Sequence, residues 1–303
     1  MEFGKLEDIS RVKFSLPPDQ SGNLRVLSSD KPSEKLRIYV GCPIWVNKNW
    51  LGTTYPAGTK EKDFLKQYAF QFNTIELNST HYHIPDPKTI EKWIKNTGEN
   101  FRFSPKFPQE ISHQLLPEGK ARTLSLVFCD VIRALEIRLG TSFIQLPPHF
   151  TLAHLPLLEK FLNEFPTDIP LAVEFRHRSW FQNPDLGEAA FLLEDHQVGT
   201  VLTDVAGRRD VLHMRLTTPQ AIIRFVGNGL HPTDYERIDD WVLRLKTWID
   251  QGLEELYFFV HQPNNDKSPE LARYFIQKIN KVCSLALVAP KLYNQAIQQK
   301  LFE

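Results

Sequence analysis

Phe72-Asn73-Thr74-Ile75-Glu76-Leu77-Asn78-Ser79-Thr80-His81 alternates apolar and polar residues through its middle. A strand sends successive side chains to opposite faces. Ile75 and Leu77 therefore share one face, and Glu76 and Asn78 the other. Thr74, Ile75 and Leu77 suit a strand, and Asn78-Ser79-Thr80 reads as its exit. Inside an α/β fold both faces of such a strand are covered. A carboxylate on a covered face then needs a partner or a purpose.

Seven further stretches fit the same reading. Strands are expected to start near residues 37, 73, 101, 142, 170, 200, 221 and 255. Helical patterns lie between and after them, near 59–71, 87–97, 119–138, 154–165, 185–197, 206–214, 233–250 and 269–280. In the helix near 233–250, Ile238, Trp241, Val242, Leu245, Trp248 and Ile249 share a face. Asp86-Pro87 opens another with a cap residue followed by proline at the first helical position. Eight strand–helix units in roughly 250 residues indicate an α/β fold of the (β/α)8 TIM-barrel type. A doubly wound open sheet is the competing architecture, but no Gly-x-Gly-x-x-Gly turn follows the first strand. The expected organisation is an N-terminal arm over 1–35, one barrel over 36–285 and a helical tail over 286–303.

Composition narrows the function classes. The chain has 303 residues, 42% hydrophobic and 24% charged, with a formal net charge of +0. That is ordinary for a globular protein and argues against a broad basic surface for nucleic acid, although single-strand stacking on rim aromatics stays open. The 3 cysteines are Cys42, Cys129 and Cys283, too scattered for a disulfide framework or a zinc motif. The first residues, Met-Glu-Phe-Gly-Lys-Leu-Glu-Asp, have neither the basic start nor the apolar core of a signal peptide. No apolar run approaches the ~20 residues of a membrane span. The expected location is the cytoplasm.

Applying the two-residue period to every strand collects polar residues on the barrel axis. Glu76 and Asn78 come from the second strand, and Ser104 and Lys106 from the third. Gln145 comes from the fourth, Glu174 and Arg176 from the fifth, and Arg224 from the seventh. The sixth and eighth strands are ambiguous by pattern but end in Asp204 and His261. All lie towards the C-terminal strand ends, where barrel enzymes keep their active sites. Three acids (Glu76, Glu174, Asp204) thus meet three bases (Lys106, Arg176, Arg224). Burying an unpaired charge costs several kcal/mol, so the set either pairs with itself as a structural network or holds a ligand.

Gly41-Cys42-Pro43-Ile44-Trp45 and the stretch from Phe72 to Tyr82 resemble the YecE-like proteins, grouped as domain of unknown function 72. So do Phe103-Ser104-Pro105-Lys106, Gln145-Leu146-Pro147-Pro148 and Val173-Glu174-Phe175-Arg176-His177-Arg178-Ser179-Trp180. The resemblance runs from about residue 37 to 280 and implies a TIM-type barrel, without supplying a reaction. Three departures stand out. His81 replaces the family's usual aromatic. Arg224-Phe225-Val226-Gly227 lacks the His of the family's Arg-x-His-Gly, a place His261 or His231 could fill. The family's strand-eight Asn pair is displaced to Asn264-Asn265.

The residues support three functional readings. The first is an enzyme, a hydrolase, lyase or isomerase, acting on a small anionic, phosphorylated or sugar-like molecule. Glu76, Glu174 and Asp204 are then the catalytic carboxylates, and Lys106, Arg176 and Arg224 grip the anion. Asn78, Gln145 and His261 line the site, Trp45, Tyr82 and Trp180 offer rim aromatics for stacking, and Gly227-Asn228-Gly229 offers loop N–H groups for a phosphate. The second is a non-catalytic barrel that captures an anion or a nucleic-acid end. The third is a purely structural ion network. His81, His83, His177 and His261 show no compact ligand spacing, so no metal or cofactor is expected. Cys42 alternates with Ile38 and Val40 towards the helices, as a buried inert thiol would.

Overall fold

The computed structural model describes residues 4–27, 32–183 and 185–293. Eight parallel strands form the sheet: β1 (Arg37–Cys42), β2 (Thr74–Leu77), β3 (Arg102–Pro105), β4 (Ser142–Gln145), β5 (Leu171–Glu174), β6 (Gly199–Asp204), β7 (Gln220–Val226) and β8 (Glu255–His261). Their order is β3-β2-β1-β8-β7-β6-β5-β4. The seam between β3 and β4 is joined by Gly140 N–H donating to Phe103 O (2.8 Å) and Phe107 N–H to Phe143 O (2.9 Å). The result is a nearly closed barrel, as the pattern of alternating units indicates.

Seven helices of eight residues or more cover it among the described residues: α1 (Phe64–Gln71), α2 (Pro87–Lys95), α3 (Arg122–Arg133), α4 (Leu155–Asn163), α5 (Glu188–Asp195), α6 (Pro232–Asp250) and α7 (Ser268–Cys283). Each buries an apolar stripe against the outer face of the strands, where Ile38, Val40, Cys42, Ile75, Leu77, Phe103, Val173, Ile223 and Phe258 lie. Burial pushes the Cys42 thiol well above its usual range, in keeping with an inert core residue.

The helix expected near 206–214 is absent. Only a 3-10 turn, Arg209–Val211, stands between β6 and β7. The N-terminal arm takes up that side of the barrel. Gly207 N–H donates to Gly4 O (2.8 Å). The amide of Asn23 donates to Met214 O and its oxygen accepts from Leu216 N–H, both at 2.9 Å. Asp19 pairs with Arg244 (2.7 Å) and accepts from the Trp248 indole (3.1 Å), both on α6. Residues 284–293 form no helix, and the remainder of the expected tail, 294–303, lies outside the described residues.

Inside the barrel, Tyr39, Phe143, Ala172, Val201, Ile222, Tyr257 and Phe259 form a separate apolar plug. Two residues further along each strand, the same faces carry Gly41, Gln145, Glu174, Thr203, Arg224 and His261. The period of two thus stacks a polar layer on an apolar one. A Cβ on Gly41 would stand 2.1 Å from Thr74 O, so β1 and β2 can approach this closely only with glycine there.

Candidate functional site at the barrel mouth

Arg224 is the centre of the polar layer. It is buried, and its guanidinium bridges two carboxylates from opposite parts of the barrel. Nε and Nη2 donate to Glu76 at 2.9 and 2.7 Å, while Nη1 reaches both oxygens of Glu174 at 3.0 and 2.9 Å. Beneath it the Phe143 ring lies 5.5 Å from the guanidinium carbon. Glu76 also accepts from Asn78 and His261, each at 2.8 Å. Glu174 accepts from Thr203 Oγ1 and pairs with Arg176 at 2.6 Å. Arg176 Nη2 and Lys106 Nζ each donate to Gln145 Oε1 at 3.1 Å.

Burial by itself would favour neutral carboxyls, but the partners reverse that. Arg224 and His261 hold Glu76 well below the usual carboxylate range, and Arg176 and Arg224 hold Glu174 below it. Both are ionised at neutral pH. Burial depresses Arg176 to about 10. Lys106, 7% exposed, is brought down to about 8 by burial and by the Arg224 charge. His261 is lowered by burial, against the pull of Glu76. An ionised carboxylate accepts only, so His261 Nε2 carries the proton and Nδ1 the lone pair.

Four sequence expectations are corrected. Asp204 does not face the axis: its neighbour Thr203 does, and Asp204 turns outward to α6. There it pairs with Arg237 (2.8 Å) and Arg209 and accepts from the Trp241 indole (2.8 Å). The cause is register, because Val201 and Thr203 occupy the inner face of β6. Trp180 is 2% exposed, donates to Phe150 O (2.7 Å) and packs on Phe175, so it is core, not rim. Trp45 packs edge-on against Trp93 at 5.9 Å and borders a groove with Leu65 of α1 and Thr89 of α2, outside the barrel. The loop donors after β7 are already engaged. Asn228 and Leu230 N–H donate to Asp234 (2.8 and 3.1 Å), and Gly229 N–H to Gln262 (2.7 Å). Gly227 is there for close packing, since a Cβ would lie 2.3 Å from Gln262 Nε2. His231, the alternative to His261, caps α6.

Glu76, Asn78, Lys106, Gln145, Glu174, Arg176, Arg224 and His261 do converge, and Tyr82, 79% exposed, stands beyond them against His81. Sequence reasoning missed Thr203 and His113. His113 sits in a π-helical turn, Glu110–Leu115, that leaves no clear periodic signature. Asp204→Asn is expected to lose about 3–5 kcal/mol by leaving Arg237 underpaired in the core and the half-buried Arg209 without its carboxylate, measured by urea unfolding. A small anion that binds the wild-type chain should bind this variant equally well; loss of such binding in a folded variant would return Asp204 to the site.

A barrel plugged by apolar side chains below and ionic at its C-terminal mouth is a TIM-type barrel with a candidate site in the usual place for that fold. The chain belongs to the family described as "Protein of unknown function DUF72", whose model matches residues 39–293. It is 28% identical to UPF0759 protein YecE of Escherichia coli K12 over 280 residues, 86% of this chain and 98% of that one. UPF0759 protein YunF of Bacillus subtilis is 31% identical over 157 residues, 48% of this chain and 53% of that one. A crystal structure of a DUF72 family protein from Thermotoga maritima superposes with a TM-score of 0.61 at 27% identity, covering 82% of this chain and 99% of that one. One from Enterococcus faecalis superposes at 0.63 and 20% identity, over 84% and 99%. Among the described residues no helix is long and apolar enough to cross a membrane.

Proposed function

We propose that this chain is an enzyme that binds a small anionic substrate at the barrel mouth and performs general acid–base chemistry on it. The observation that carries the reading is a charge surplus. Glu76 and Glu174 against Arg176 and Arg224 already balance, two against two. That quartet is what a structural network would be. Lys106 is left over: its Nζ meets a neutral amide, Gln145, and no carboxylate lies within ion-pairing distance among the described residues. A buried ammonium paired only with an amide is costly, and an anionic ligand would supply the missing charge.

The two proton-transfer groups follow from the same geometry. Lys106, at about 8, is protonated at neutral pH yet close enough to it to donate, so it serves as general acid. His261, oriented by Glu76 at 2.8 Å with Nδ1 unprotonated, serves as base. Glu76 and Glu174 fix the guanidinium and the imidazole, and their negative charge stabilises both. Hydrolysis, elimination and isomerisation all fit an acid and a base facing one bound anion. The even charge balance of the chain favours a small molecule over nucleic acid, in the cytoplasm.

Calorimetric titration with small carboxylates and phosphates tests this. At least one should bind the wild-type chain and bind Lys106→Met at least tenfold more weakly. Equal affinity in the two proteins would refute the role of Lys106.

A further inference from the structure

His81 and His113 lie outside the acid–base set; His81 bonds to the carbonyl of Phe107, the residue after Lys106, and the Lys106 charge acts on both rings. Their rings meet at 5.5 Å between centroids, inclined at 67°. His81 follows β2, and its Nδ1 lies 2.7 Å from Phe107 O. A carbonyl can only accept, so Nδ1 carries the proton and Nε2 the lone pair. His113 follows β3, and its Nδ1 lies 2.7 Å from Ser112 Oγ. Ser112 Oγ also lies 3.2 Å from Pro108 O; in the tautomer in which the hydroxyl donates to that carbonyl, Oγ accepts from Nδ1 and His113 Nε2 keeps its lone pair.

Both rings are neutral across the physiological range. Burial, then the Lys106 charge and to a lesser degree the Arg224 charge, against the pull of the bond to Phe107 O, lowers His81 to about 4. Burial, then His81, Lys106, His149 and Arg176, lowers His113 to about 4. Among the described residues neither Nε2 has a protein partner. In that tautomer two imidazole acceptors stand within the field of a surplus ammonium, where the positive charge disfavours a metal cation.

We propose that His81 and His113 form a hydrogen-bond-accepting wall next to Lys106, so that the anion bound there bears hydroxyl groups: a hydroxylated small acid or a sugar phosphate. This rests on the anion-binding reading given above. The ammonium takes the anionic end, and the two Nε2 atoms take protons from hydroxyls that an unsubstituted acid lacks. A ligand that shuts these acceptors off from water without offering a hydroxyl leaves them unpaired, which makes such a wall selective.

The test compares gluconate with hexanoate, and glucose 6-phosphate with hexyl phosphate, by calorimetry on the full chain. Each pair shares its anion and differs in hydroxylation. The hydroxylated member of at least one pair should bind about tenfold more tightly, and the pair that responds tells carboxylate from phosphate. His113→Phe and His81→Phe should erase that preference while leaving the plain anion's affinity within twofold. Because His81→Phe also removes a bond to Phe107, plain-anion binding reports whether that variant is folded, and the more exposed His113 carries the test if it is not. A preference that is absent, or that survives His113→Phe, overturns the inference and leaves the anion site standing. If no anion of either pair binds, or binding is unchanged in Lys106→Met, the anion-binding reading falls and takes this one with it.

Discussion

Arg224→Met is expected to lower folding stability by about 3–5 kcal/mol, the usual cost of removing one partner from a buried ionic cluster. The guanidinium joins β2 to β5 through Glu76 and Glu174, so its loss takes the shared arginine from two buried carboxylates and leaves Glu76 with none. Arg224→Lys should recover little, because a point ammonium cannot serve both carboxylates in a planar fork.

The pH dependence gives the sign. In the wild type both glutamates sit below 4.5, their ordinary value. Their stabilisation is therefore present above about pH 4.5 and is lost as pH falls through the lower folded values. In Arg224→Met, Glu76 keeps only His261 and Asn78 as partners. Its carboxyl should then rise above the ordinary value, and acidifying from pH 7 to 5 should restore part of the lost stability. Chemical denaturation at the two pH values measures this. An Arg224→Met protein within 1 kcal/mol of wild type, or one that weakens further on acidification, would show that the cluster does not hold the mouth together.

Lys106→Met is expected to act in the opposite direction on stability while removing the ligand. A fall from 10.5 to about 8 corresponds to roughly 3 kcal/mol of penalty on the charged form. Removing the ammonium while keeping its apolar bulk should relieve a good part of it, about 1–3 kcal/mol at pH 7. The penalty is complete below the folded value of about 8. It fades between there and 10.5, because in that window the unfolded chain binds the proton that the folded one has released. Wild type should therefore gain on Lys106→Met as pH rises from 8 to 10, and the two curves should converge. A variant that is both more stable and unable to bind anions would mark Lys106 as a residue kept for function at a cost in stability. A variant less stable than wild type at pH 7 would instead make Lys106 a structural member of the network.

The fold was legible because the period of two survives in nearly every strand. Ile75 and Leu77, Phe103, Val173, and Ile223 and Phe225 all face the helices. Their polar neighbours Glu76, Glu174 and Arg224 meet inside. Where alternation was ambiguous, the assignment failed. Gly199-Thr200-Val201-Leu202-Thr203-Asp204 can face either way, and an ionisable final residue suggested the axis when Thr203 in fact occupies it. The aromatics failed for a related reason. A Trp in a loop is as able to fold back onto Phe175 as to face a ligand, and local sequence does not say which.

Residue order alone determined eight strands, the inner and outer faces of those that alternate clearly and the ionic character of one end, because those follow from side-chain direction along an extended backbone. Which charges cancel was decided in three dimensions. Asp204 went to Arg237 across the β6–α6 interface, the turn after β7 gave its donors to Asp234, and Lys106 was left facing an amide. Coulomb partners are chosen by distance across the barrel, between residues as far apart as Glu76 and Arg224, and no local pattern encodes that distance.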